Sequence, residues 1–333
     1  MTDRLVPTRR GLLLGAAAAT LPGRAGAMLP ATAKLLVPGP EDGPLARWSE
    51  RLAAALARGA TSAVSLERSV LGGADGVTAA NRFATQAAPD GRTLLVLPGA
   101  AAQARLVGDP RARFDAAGWL PVCAMQGIAV VAGRGFPAAG APLRLGLPAA
   151  DAPGAAALLG LDLLGVTATP VLGLSPDQAE AALAQGAVEA ILLQGAEVPA
   201  RLAALQARPW FTLDAAGARD STLPETPALP DLAASGAAPP SAPLWAAFHA
   251  AAAAARLRAA LVLPALTPAN LVALWRGAAQ RWQEEESRAG LPAGLRIRTG
   301  AEAAPLLAAL VPPAAATLAY RDWLRRRLNW RPE

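Results

Sequence analysis

The sequence predicts an α/β fold with two lobes. Apolar, strand-like runs alternate with helix-like segments along most of the chain, which is typical of parallel sheets covered by helices. A chain of 333 residues is also long for one hydrophobic core, so two lobes are expected. Apolar residues make up 53% of the chain, which is enough to build both cores.

Residues 1–27 are interpreted as an export signal. Arg9 and Arg10 precede a short apolar run, and an Ala-Gly-Ala cleavage pattern ends at Ala27. The run is shorter than the roughly 20 residues that cross a bilayer. Paired arginines indicate the twin-arginine route, although many Sec signals also carry two arginines. The alternative is that residues 1–27 form an ordinary N-terminal helix. We therefore expect a periplasmic protein that is cleaved near Ala27.

Charge and cysteine content narrow the function classes. The net charge is +6, and it falls to +3 once the predicted signal is removed, because that segment carries four arginines and one aspartate. So small a surplus on a chain this long argues against nucleic-acid binding. Cys123 is the only cysteine, so no internal disulfide can form, and its apolar surroundings predict a buried, inert thiol.

The mature chain begins with a predicted strand at 34–37, which the proline- and glycine-rich loop 38–44 ends. A helix is expected from 45 to about 58, because its apolar residues recur on one face. After Gly72 and Gly73, a second helix precedes an Ala-Pro-Asp-Gly turn and a buried strand at 93–97. The glycines stand at a helix N-terminus, where free backbone N–H groups favour an anion.

The rest of the chain continues the alternation of predicted strands and helices. A helix reaches about Val107, and another begins at the N-cap Ser175, with Pro176 in its first turn, and ends at Gly186. A long helix opens at Thr267-Pro268 and runs to about Arg288. The remaining predicted segments are strands at 119–125, 128–131, 144–147, 169–172 and 187–193, and a helix at 152–164.

The segment 72–97 resembles the extracytoplasmic solute receptors of tripartite tricarboxylate transporters, known as Bug-type or TctC-type binding proteins. Their glycine turn, helix and Ala-Pro-Asp-Gly-x-Thr-Leu-Leu string are matched by Gly72, Gly73, Gly76 and 88–95. Further family-like motifs follow in the family's order, at 37–40, 109–110, 114–115, 121–122, 183–190, 223–229 and 266–272.

The resemblance implies a two-lobed periplasmic-binding-protein clamshell, each lobe a mostly parallel sheet flanked by helices. Lobe one would combine 28–130 with 246–333, and lobe two would be 131–245. A small organic solute, a carboxylate in the family, would bind between the lobes of a monomer and pass to the permease subunits of a tripartite transporter. Such a receptor is not an enzyme and needs no cofactor or metal.

The family's binding loops map onto thirteen residues of this chain, which we predict to contact the ligand. They lie in the loop after the first strand, the glycine turn, the loop after the 93–97 strand and two lobe-two loops. The predicted residues are Pro40, Glu41, Asp42, Gly43, Gly73, Ala74, Asp75, Gly76, Gly99, Ala100, Ala150, Asp151 and Gly173.

Four of these predicted residues are acidic, namely Glu41, Asp42, Asp75 and Asp151. A carboxylate beside a carboxylate ligand is unfavourable when both are desolvated and unpaired. One interpretation is that these acids sit at helix N-termini, stabilised by the helix dipole and turned to solvent. The other is that the ligand is neutral or cationic, so that specificity has shifted away from simple dicarboxylates.

Two alternative functions stay open. A periplasmic sensor that presents its solute to a signalling kinase would use the same fold. An exported hydrolase is a weaker alternative, since His249 is the only histidine and neither a G-x-S-x-G nor an H-E-x-x-H motif occurs.

Overall fold

The computed structural model describes residues 28–136, 143–215, 217–234 and 241–332. The predicted export signal and its cleavage site lie outside these residues. The strands are β1 Thr32–Pro38, β2 Ser65–Leu71, β3 Thr93–Leu97, β4 Leu120–Gly133, β5 Arg144–Gly146, β6 Thr169–Val171, β7 Ala190–Gly195, β8 Arg208–Thr212, β9 Leu257–Leu263 and β10 Leu295–Thr299.

Helices cover both faces of these strands. They are α1 Pro44–Gly59, α2 Val77–Gln86, α3 Gly99–Val107, α4 Ala155–Leu163, α5 Pro176–Gln185, α6 Val198–Ala204, α7 Leu229–Ala233, α8 Ala242–Arg256, α9 Ala269–Ala289, α10 Ala304–Ala309 and α11 Ala314–Leu328. Within the described ranges no single helix is long and apolar enough to span a membrane, although the bent pair 300–309 and 314–328 meets the length and composition test together.

The strand β4 joins two sheets into one curled sheet. Its first half pairs antiparallel with β9 and β10, up to Gly127. Its second half, from Ile128 onward, pairs antiparallel with β7 and β8. The sequence predicted two strands here, at 119–125 and 128–131. The structure has one strand of 14 residues, because Gln126 and Gly127 stay extended and carry the backbone from one lobe into the other.

Each lobe has a parallel sheet at its outer edge, as the alternation of strands and helices predicts. In lobe one, β2, β1 and β3 are parallel neighbours. In lobe two, β6, β5 and β7 are parallel neighbours. The order across the whole sheet is β2-β1-β3-β9-β4-β7-β5-β6. The antiparallel pairs are those that involve β4 and β9, at the centre.

The helices α8 and α11 pack against the second lobe. α8 and α11 share a core cluster with α4, in which Phe248, Tyr320 and Leu324 are fully buried. Trp323 donates from Nε1 to the Asp162 carboxylate of α4 at 2.9 Å, and Arg327 pairs with the same carboxylate at 3.0 Å. The lobe boundaries at 130 and 246 stay a prediction; the pairing partners of β4 change between Gly127 and Ile128.

The predicted inert thiol is buried in the core. Cys123 lies in β4 with no exposed surface, and burial raises its pKa to about 12. A thiol held protonated at neutral pH is a poor nucleophile and a poor metal ligand.

Candidate functional site

A cavity of about 330 Å³ lies between the two lobes. Lobe one contributes the loop after β1, the start of α1 and the start of α3. Lobe two contributes the 148–154 loop and the end of β7 through Gln194. The end of α8 and the start of β9 close it, through Ala254, Ala255, Leu257 and Arg258. Its volume is within the range of small-molecule sites, about 300–1,000 Å³.

Three helices begin at this cavity. Pro44 and Leu45 of α1, Gly99 of α3, and Gly154, which precedes α4, all line it. No side chain caps the N-terminus of any of these three helices. The first-turn N–H groups of α4 donate to the backbone carbonyls of residues 152–154. The N-termini of α1 and α3 therefore supply the uncapped partial positive charge that lies at the cavity.

Close packing holds the start of α3 in place. A Cβ on Gly99 would collide with the carbonyl oxygen of Ala254 and lie 2.7 Å from that of Leu257. Only glycine allows this approach of α3 to the junction between α8 and β9. The first turn of α3 thus packs against the same backbone that presents Arg258.

Arg258 is the one cation that lines the cavity among the described residues. No carboxylate of the described residues pairs with it, whereas nearby Arg256 is paired with Asp214 at 2.5 Å. The cavity walls withdraw Arg258 in part from water, which lowers its pKa, and the charge of Arg201 lowers that pKa further. A guanidinium still stays protonated near neutral pH, so the cavity carries a positive charge.

The four acidic residues lie away from the lining. Asp75 accepts a hydrogen bond from the Val77 N–H at 3.1 Å, at the start of α2, and pairs with Arg111 at 3.1 Å. Glu41, Asp42 and Asp151 are exposed to solvent and are absent from the cavity lining.

Of the thirteen predicted residues, Ala74, Gly99 and Ala100 line the cavity. All of the others except Gly173 lie within two residues of a lining residue in sequence. Gly43 is buried immediately before Pro44, and Gly76 packs against Pro98 and Pro38, with φ +76°. The predicted residues outside the lining are Pro40, Glu41, Asp42, Gly43, Gly73, Asp75, Gly76, Ala150, Asp151 and Gly173.

Several lining residues were missed by the sequence analysis. Arg258 and Gln194 bring polar groups, while Trp48 and Met125 bring apolar surface. The missed signal was an arginine in the apolar segment that continues the Ala-rich run, since β9 reads LRAALVL. Arg258 is the one exposed position of this otherwise buried strand, and it lines the cavity.

His249 packs against the aromatic rings of Trp245 and Phe248. Its ring stacks on Trp245 with centroids 5.7 Å apart, and burial lowers its pKa. Within the described part of the chain, no cluster of three His, Cys, Asp or Glu residues could hold a metal ion.

Comparison with solved structures shows which proteins share the fold. A TctC solute-binding protein from Polaromonas, solved without ligand, matches with a TM-score of 0.62 at 16% identity, covering 89% of this chain and 98% of that one. MatC from Rhodopseudomonas palustris, with bound malate, matches with a TM-score of 0.53 at 20% identity, covering 88% and 98%. The periplasmic binding protein BugD matches with a TM-score of 0.52 at 15% identity, covering 89% and 97%.

No family model matches the sequence, and no curated protein is significantly similar to it. The structural matches confirm the fold that the sequence resemblance predicted: this chain has the two-lobed α/β fold of TctC- and Bug-type solute-binding proteins.

Proposed function

We propose that this chain is a divergent extracytoplasmic solute receptor that binds a small carboxylate between its lobes. The observation that carries the proposal is the charge of the inter-lobe cavity. Arg258 lines it without a carboxylate partner among the described residues, and the uncapped N-termini of α1 and α3 lie at the same space. Both features favour an anion.

The position of the acids supports the same ligand class. The Asp75 carboxylate accepts from the Val77 N–H at the start of α2 and pairs with Arg111. Glu41, Asp42 and Asp151 are exposed and lie outside the lining. A carboxylate ligand would therefore meet a guanidinium rather than a carboxylate. This placement favours the first interpretation of the acids over a neutral or cationic ligand.

The proposal also covers the cellular location and the membrane partner of the protein. MatC, which shares the fold, holds malate, and BugD is a periplasmic binding protein. We place this chain in the periplasm, exported by the predicted signal, as a monomer that releases its solute to the permease subunits of a tripartite transporter. It would act by binding, with no catalytic step.

Calorimetric titration of the protein with malate, succinate, a neutral amide and a cationic amine tests the ligand class. We expect the carboxylates to bind. Arg258→Gln should weaken that binding about ten- to hundredfold, because a hydrogen bond to a charged group is lost. Arg82→Gln removes an exposed arginine that donates from Nε to Gln86 of its own helix and does not line the cavity, and it should bind like the wild type.

Binding of the amine alone, or carboxylate binding that Arg258→Gln leaves unchanged, would contradict the proposal. The first result would support a cavity rebuilt for cations. The second would place the ligand elsewhere on the protein.

A further inference from the structure

A second cavity, of about 410 Å³, lies between α3, α10 and α11. It is lined by the middle and C-terminal part of α3, the 114–116 loop and the facing sides of the two C-terminal helices. It shares no lining residue with the inter-lobe cavity. Its volume falls within the range of small-molecule sites. We name it the α3/α11 cavity.

The walls of the α3/α11 cavity are largely apolar. Leu106, Phe114, Leu307 and Leu310 line it and are buried in the protein. Leu318 also lines it, yet its side chain is 65% exposed. Apolar surface left in contact with water around a concave site is a common mark of a ligand-binding place. A hydrocarbon group in the cavity would remove that surface from water.

The charged groups of this cavity are Arg105, Arg321 and Asp115. Arg321 donates from Nε to the Leu106 carbonyl at 3.0 Å and from Nη2 to the Arg105 carbonyl at 3.1 Å. These bonds cap the end of α3. They leave Nη1 without an acceptor among the described residues.

The balance of charge in the cavity is positive. Neither Arg105 nor Arg321 pairs with a carboxylate of the described residues, and burial lowers the pKa of Arg321 while the charge of Arg105 lowers it further. The Asp115 carboxylate accepts from the Ala117 N–H at 2.9 Å, which fixes it in its own loop. An anion beside the two guanidinium groups would relieve their mutual repulsion.

We propose that the α3/α11 cavity is a second ligand site, for a small amphiphilic carboxylate. Its carboxylate would bind Arg105 and Arg321, and its hydrocarbon part would fill the apolar walls. The site is independent of the inter-lobe cavity, so it stands whether or not that cavity binds carboxylates.

Isothermal titration with sodium octanoate tests this site, with octanol as the uncharged analogue. We expect octanoate to bind more tightly than octanol. Arg321→Met should weaken octanoate binding about ten- to hundredfold by removing a charged hydrogen bond. Because Arg321 also caps α3, a second variant is needed: Ala314→Trp changes an exposed residue of the lining and should block the cavity without disturbing that cap.

Arg258→Gln distinguishes binding in the two cavities, because Arg258 lines only the inter-lobe cavity. It should leave octanoate binding in the α3/α11 cavity unchanged. The proposal is overturned if the folded wild type does not bind octanoate, or if octanol binds equally well. It is also overturned if only Arg258→Gln removes the binding, since the ligand would then lie between the lobes. A dimer in sedimentation analysis that Ala314→Trp disrupts would mean instead that a second copy of the chain covers this face.

Discussion

Single residues set the charge of the surfaces that a ligand meets. The inter-lobe cavity is positive because one arginine, Arg258, enters it unpaired, while its neighbour Arg256 is neutralised by Asp214. The acids in the loops beside the cavity do not cancel that charge. The Asp75 carboxylate, for example, is bound by the Val77 N–H at the start of α2 and by Arg111. Sequence position alone placed these acids in the cleft; the direction of their side chains decides their effect.

Asp109 should make stability depend on pH in the acid range. Its hydrogen bonds with Arg111 hold the pKa of its carboxyl below the usual value. A carboxyl with a lowered folded-state pKa stabilises the fold above its unfolded-state pKa, about 3.9, and loses that contribution as the pH falls through the folded-state pKa. Asp109→Asn should therefore flatten the fall in Tm between about pH 5 and pH 2, measured by thermal unfolding monitored with circular dichroism.

The matched control for this prediction is Asp90→Asn, which changes an exposed turn aspartate whose ion pair with Arg92 is longer, at 3.8 Å. Its Tm profile should follow that of the wild type. If Asp109→Asn also follows the wild type, the pairing with Arg111 makes no measurable contribution to stability.

At the scale of elements, the helix starts that depend on a few neighbouring residues were predicted from the sequence. Ser175 and Pro176 indicated the start of α5, and the structure has a full capping box there, with the Gln178 N–H donating to Ser175 Oγ at 3.3 Å. The long helix opened by Pro268 is likewise confirmed as α9.

The strands β9 and β10 were not predicted, because their position depends on distant partners. β9 continues directly from the Ala-rich helix α8, with only a change of backbone conformation at Leu257 and no turn residue between them. What makes it a strand is its pairing with β3 and β4, which are more than 120 residues away in sequence. Since Arg258 lies on β9, missing the strand also meant missing the charge of the site.

The packing of α3 against the end of α8 makes Gly99 sensitive to substitution. Gly99→Ala would push a Cβ into two backbone carbonyls, of Ala254 and Leu257, which cannot move as a side chain could. We expect a loss of about 1–3 kcal/mol in the free energy of unfolding and weaker malate binding, since α3 presents its N-terminus to the cavity. Urea unfolding and calorimetric titration measure the two effects.

Gly73→Ala is the matched control, because a Cβ there would meet only the Asp75 carboxylate, at 3.7 Å. It should change stability by less than about 0.5 kcal/mol. If Gly99→Ala were as mild as this control, α3 would be free to shift, and its first turn would not fix the shape of the cavity.

At the scale of the molecule, the alternation of strands and helices predicted two lobes, but not how they are joined. That depends on β4, whose one continuous backbone serves both sheets, and on the passage from α8 to β9. Two such crossings beside a shared cavity are suited to a hinge. Gly127 lies at the first crossing, where a Cβ would approach Gly195 of β7 to 3.0 Å.

A ligand that contacts both lobes should favour the closed form, because only that form gives it all its contacts. We expect the radius of gyration in small-angle X-ray scattering to decrease when malate saturates the protein. At the same malate concentration Arg258→Gln should stay near the ligand-free value, since its weaker binding leaves most of the protein unoccupied. The ligand-free wild type and this variant should have equal radii, which shows that the substitution leaves the open form unchanged. If malate binds by calorimetry and the radius stays constant, the lobes do not close on the ligand, and the junction at β4 acts as a rigid support instead of a hinge.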